Sequence, residues 1–160
     1  MANELRGDLN PRGRRFAIAA SSFNEFIVNS LVEGAKRSLA AAGVDDSQLD
    51  VAWCPGAVEL PLVAKKLAET GRYAGIVALG AVIRGGTPHF DYVCSIAADG
   101  LTRVSLDSGV PVSFGVLTVD TMEQAIERTG ESTGNKGCEA AEATLEMASL
   151  LAVIEEAGRA

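Results

Sequence analysis

Histidine occurs once in this chain, at His89, and Phe, Trp and Tyr together make up only 5% of it. One histidine excludes a multi-histidine metal centre built within a single chain. Cysteine occurs three times, at Cys54, Cys94 and Cys138, with no C-x-x-C spacing. That pattern reads as reduced thiols and not as a disulfide frame or a zinc site. Basic residues are scarce: 14 Lys and Arg stand against 21 Asp and Glu, for a net charge of −7. So acidic a chain lacks the basic face that nucleic-acid binding needs, although a small local anion site is compatible with it. No apolar run approaches the roughly 18 residues of a membrane-spanning helix. The opening MANELRGDLNPRGRR has no apolar signal-peptide core. The expectation is a soluble cytoplasmic protein whose partners are neither nucleic acid nor membrane.

What is present is ordinary globular material. The 160 residues are 48% hydrophobic and 22% charged, which fits one domain over residues 1–160 that buries about 70% of its unfolded surface. Apolar runs and helical stripes alternate along the chain. Strands are expected at Arg15–Ala20, Leu49–Cys54, Gly75–Ile83 and Val112–Thr118. The third is apolar on both faces, as a central parallel strand is. Helices are expected from Val28 to Ala42 with Gly43 as C-cap, from Ala57 to Thr70 with Pro61 in the first turn, from His89 to Ser108, and from Asn135 to Ala157. A short helix ending at Arg128 is expected to start on a capping box of Asp120 and Glu123. The polar link Thr129–Gly134 follows it. This alternation predicts an α/β fold, a four-stranded parallel sheet of flavodoxin-like kind with helices on both faces. Residues 1–14 fall outside the plan and form an N-terminal arm, either a loose tail or an arm that docks on a neighbour.

In open parallel sheets ligands bind beyond the carboxyl ends of the strands. That rule selects Ser21–Asn24, Pro55–Glu59, Arg84–His89 and Thr118–Asp120. The third loop says most. Gly85 and Gly86 let backbone approach a ligand, Thr87 adds a hydroxyl, and a helix start favours an anion such as one phosphate. A plain glycine turn before a helix is the competing reading. There is no G-x-G-x-x-G and no Walker lysine, so a dinucleotide or nucleoside triphosphate is not expected. Imidazole titrates near neutrality, so His89 can move protons there, whereas a lone histidine elsewhere is usually structural. Phe23 is either packing or a stacking face for a planar ring. Glu59 either serves a helix dipole or accepts from ligand hydroxyls. Arg128 and Lys136 are either solvated cations or anion contacts. No G-x-S-x-G elbow supports a serine triad.

Taken together, FNEFIVNSLVEGA, PGAVELPLVAKKLA, GAVIRGGTPHFDYV, PVSFGVLT, QAIERTG and GNKGCEAAEATLEM resemble the lumazine synthase family, in its order and spacing, from about residue 14 to 155. The resemblance implies a transferase of riboflavin biosynthesis. Such an enzyme joins 5-amino-6-(D-ribitylamino)uracil to 3,4-dihydroxy-2-butanone 4-phosphate and gives 6,7-dimethyl-8-ribityllumazine, phosphate and water. It implies no cofactor, a three-layer α/β/α sandwich, and homopentamers with sites between adjacent subunits. Phe23 then matches the aromatic that stacks on the pyrimidine. Ala57, Val58, Glu59 and Phe114 match positions around the pyrimidine and ribityl chain, and Ala81, Val82 and Ile83 the strand end beside the ring. Gly86 and Thr87 match the phosphate cradle, and His89 the proton-transfer residue. Arg128 matches a phosphate-binding arginine reaching in from the adjacent subunit, and Lys136 another residue of that side.

The chain departs from the family pattern at three places. Ser22 stands where many members have Arg, and Pro88 where Thr is common. The link Gly130–Gly134 differs from the Lys-containing version of shell-forming members, which favours a plain pentamer. A lumazine or flavin carrier and an archaeal-type riboflavin synthase are the alternatives. A carrier would not need a phosphate site, and Gly86, Thr87, His89 and Arg128 argue against it; the archaeal-type synthase is similar in fold but uses two lumazines and no phosphate ester.

Overall fold

The structure, a computed structural model, describes residues 1–131 and 133–160. Ser132, within the expected Thr129–Gly134 link, lies outside them. Four strands, β1 (Arg15–Ser21), β2 (Leu49–Cys54), β3 (Tyr73–Ile83) and β4 (Val112–Val119), form one parallel sheet in the order β2-β1-β3-β4. Five helices connect and cover it: α1 (Glu25–Ala42), α2 (Leu60–Glu69), α3 (His89–Ser108), α4 (Met122–Glu127) and α5 (Lys136–Gly158). The result is the three-layer, flavodoxin-like α/β fold expected. Period two decides which side chain meets which layer. Phe16, Ile18 and Ala20 of β1 face α1 and α5 with Leu31, Leu39 and Leu145. Ala17 and Ala19 face α2 and α3 with Leu60, Ala64 and Leu101. β1 and β3 are central and buried on both faces, which is why their sequences read as continuous apolar runs.

Local starts differ from the expectations in three places. The second helix does not begin at Ala57: a 3-10 turn, Ala57–Glu59, precedes α2, and Pro61 sits in the first α-turn. α4 is not capped by Asp120. Thr121 is the N-cap and accepts from the Gln124 N–H at 3.1 Å, while the Asp120 N–H donates to Gln124 Oε1 at 2.7 Å. Asp120 is drawn off because its carboxylate pairs with Arg84. The arm is no loose tail along its second half. Asp8 and Ser149 exchange hydrogen bonds of 3.1 and 3.0 Å, and Arg14 Nη2 donates to the Ala148 carbonyl. Residues 7–14 therefore lie along this chain's own α5. Among the described residues, no helix is long and apolar enough to cross a membrane.

Candidate functional site

The carboxyl ends of β1, β2 and β3 open into a cavity of about 350 Å³, of the size that takes a small molecule. Its walls include Phe23, Ala57, Val58, Glu59, Ala81, Val82, Ile83, Thr87 and His89. Six of these come from three loops far apart in sequence, and parallel topology brings them to one end. Gly56 and Gly85, of loops selected from the sequence, also line it, and so do Phe90 and Val93, which sequence reasoning missed. Gly85, not Gly86, lines the wall; Gly86 is an exposed member of the same loop.

The rim is fixed by backbone bonds. Beyond β1, the N–H groups of Ser22 and Phe23 donate to the carbonyls of Cys54 and Pro55 at 2.8 and 3.0 Å, so the β1–β2 pairing runs on into the loops. Ser22 Oγ adds a bond to Cys54 O at 3.1 Å; at this position the hydroxyl serves the loop itself. Asn24 takes the left-handed conformation (φ 59°), which asparagine tolerates better than most residues. Its Nδ2 donates to Ala81 O at 3.2 Å, tying the Phe23 loop to the cavity wall on β3. Phe23 itself is 70% exposed, so no packing holds it, and its ring is available to stack on a ligand.

Two thiols lie nearby, Cys54 buried and Cys94 part-buried. Burial, and then the charge of Glu59, pushes the Cys54 thiol above its ordinary range. Burial, and then Asp91, does the same to Cys94. Both shifts disfavour the thiolate. His89 lines the cavity, exposed at the start of α3.

Phe114, Arg128 and Lys136 are not in this cavity. They line a second groove of about 270 Å³ along β4, an edge strand of the sheet, with Thr118 and Val119. Phe114 is 44% exposed. Arg128 Nη1 donates to Gln124 O at 2.8 Å and lies 3.7 Å from Glu127. Lys136 Nζ lies 3.0 Å from Glu139 on the first turn of α5. Apart from Gly86, the residues named for one site thus sort into two grooves with no lining residue in common. A family model described as 6,7-dimethyl-8-ribityllumazine synthase matches residues 13–152 of the 160.

Proposed function

The chain belongs to the 6,7-dimethyl-8-ribityllumazine synthase family, of riboflavin biosynthesis, and from that premise we propose that it is a transferase. It condenses 5-amino-6-(D-ribitylamino)uracil with 3,4-dihydroxy-2-butanone 4-phosphate and releases phosphate and water. The observation that carries this reading is the convergence of Phe23, Glu59, Thr87 and His89 on one cavity. An apolar strand end and an exposed aromatic suit a planar pyrimidine. A carboxylate at the rim suits the hydroxyls of a ribityl chain. A glycine-rich loop leading into a helix start suits a phosphate ester.

In this reading the 5-amino group attacks the ketone and a first water leaves to give an imine. Loss of a C–H proton expels the phosphate, and the resulting enol becomes a second carbonyl. The ribitylamino nitrogen closes the ring on that carbonyl and a second water leaves. His89 moves protons between nitrogen, oxygen and water during these steps. Arg128, with Thr87 and the start of α3, takes up the charge of the departing phosphate. Much of the rate comes from holding two reactants side by side.

The second groove supports a head-to-tail ring. In such a ring the interface joins two different patches, so the β4 groove of one copy closes the cavity of the next. A homopentamer whose sites each take Phe23, Glu59, Thr87 and His89 from one copy and Phe114, Arg128 and Lys136 from its neighbour accounts for both grooves. The test is to mix the two substrates with the protein and follow the lumazine chromophore, before and after dialysis against chelator. Product at an unchanged rate is expected. No product, or activity lost to chelator and restored by a divalent metal, contradicts the proposal.

A further inference from the structure

In the functional reading above each chain contributes to two neighbouring sites, its cavity to one and its β4 groove to the next, so a loosened contact between the two grooves of one chain disturbs both sites at once. The side chain between the two grooves is Arg84. It follows β3 directly, and its backbone N–H donates to Val119 O at 2.9 Å, extending the β3–β4 ladder by one bond. Its Nε donates to Asp120 Oδ1 at 2.7 Å, and its Nη1 lies 3.7 Å from Asp91 Oδ1. The guanidinium also sits 4.4 Å from the centre of the Phe90 ring, which lines the cavity. Two carboxylates and an aromatic face therefore already engage this cation beside the Gly85–His89 loop.

The contacts continue beyond Arg84. Asp120 gives its N–H to the side chain of Gln124 at 2.7 Å, and Gln124 takes Arg128 Nη1 on its backbone carbonyl at 2.8 Å. Both contacts of Arg128, among the described residues, use Nη1 and neither uses Nε or Nη2. Asp91 is also the acidic residue in the first turn of α3, where its charge opposes an anion. Arg84 offsets that charge without entering the site.

We propose that Arg84 and Gln124 are positioning residues for the reaction: through Asp120 they hold the loop that carries Thr87 and His89 and the turn that carries Arg128 in one frame. The proposal rests on the functional reading above for its kinetic consequence, though not for its structural one. The test uses the assembled protein with Arg84→Met, Arg84→Lys and Gln124→Ala. Arg84→Met raises KM for the phosphate-bearing substrate by about 3–10-fold, the size that an exposed ion pair and a cation–π contact support together. KM for the pyrimidine stays near that of the parent. Lysine restores part of the loss, because it keeps the charge but not the fork. Gln124→Ala reproduces the effect from the other end.

The second readout needs no activity. Amide hydrogen exchange in Arg84→Met speeds up in two separate segments, 85–91 and 120–128, while β1 and β3 stay protected. Exchange that changes only in 85–91, or KM values for both substrates that rise alike, overturns the proposal. If the parent protein makes no lumazine at all, the functional reading fails, and the exchange pattern still decides whether the frame exists.

Discussion

Asn135→Ala is expected to be strongly destabilising, because Asn135 caps α5 and joins it to α1. Asn135 is 4% exposed and uses its whole amide. Its Oδ1 accepts from the N–H groups of Gly137 and Cys138 at 2.8 and 3.1 Å, capping α5. Its Nδ2 donates to the carbonyls of Ser30 on α1 and Gly130 on the link, both at 3.1 Å. The seam around it is closed by glycine: a Cβ on Gly137 would overlap the Leu31 carbonyl, and one on Gly34 would overlap the Asn135 amide. Loss of the cap costs about 1 kcal/mol. Loss of two donations to part-buried carbonyls costs about 1 kcal/mol each. The total, about 3 kcal/mol, corresponds to a fall in Tm of roughly 6–12 °C for a chain of this size. Asn135→Ser keeps an N-cap oxygen but not the donations, so it should recover about 1 kcal/mol. The assay is denaturant unfolding at one fixed protomer concentration, since assembly makes stability concentration-dependent. A loss for Ala below about 1 kcal/mol, or a Ser variant no better than Ala, refutes the reasoning.

Three further outcomes are expected. His89→Ala slows product formation toward the low end of the roughly 10²–10⁴-fold typical of acid–base catalysis, because amines and ketones condense unaided and water carries protons; an unchanged kcat removes His89 from the mechanism. Arg128→Ala raises KM for the phosphate-bearing substrate more than for the pyrimidine; equal rises contradict a phosphate role. The third concerns acid. The Tyr73 hydroxyl first, then Arg15, holds the Asp50 carboxyl below its ordinary 3.8. A depressed folded-state pKa gives stability that is present above about pH 4 and lost as pH falls through the folded value. Tyr73→Phe should therefore be slightly less stable than the parent at neutral pH, with the difference shrinking below pH 4. A difference that grows on acidification reverses the sign and refutes the assignment.

The fold was legible because its signals are local and periodic. The apolar runs of β1 and β3 carry their burial on both faces, and the loops at their ends follow from parallel topology. Nine residues expected to share a site do share a cavity for that reason. What the sequence hid depends on partners distant along the chain. Arg84 and Asp120 are 36 positions apart, and nothing in either neighbourhood announces the pair. That pairing also explains why the Asp120 cap failed. Asn24 needed its φ before its bond to Ala81 could be seen, and Asn135 reads as an ordinary N-cap until Ser30 is set beside it. The division into two grooves was invisible to residue spacing and came only from the likeness to a family. In the structure it follows from β4 being an edge strand with Phe114 on its exposed side.

The central claim is that a complete site needs the cavity of one copy and the β4 groove of another. Subunit mixing tests it directly. One variant loses Phe23 and His89, the other loses Arg128, and each alone has every site damaged. After co-refolding in equal amounts, about one interface in four of a random ring joins two sound halves. Lumazine formation should then rise to about a quarter of the parent rate per site, well above either variant. A mixture that shows only the average of the two variants, with subunit exchange demonstrated, places the whole site within one chain and contradicts the account.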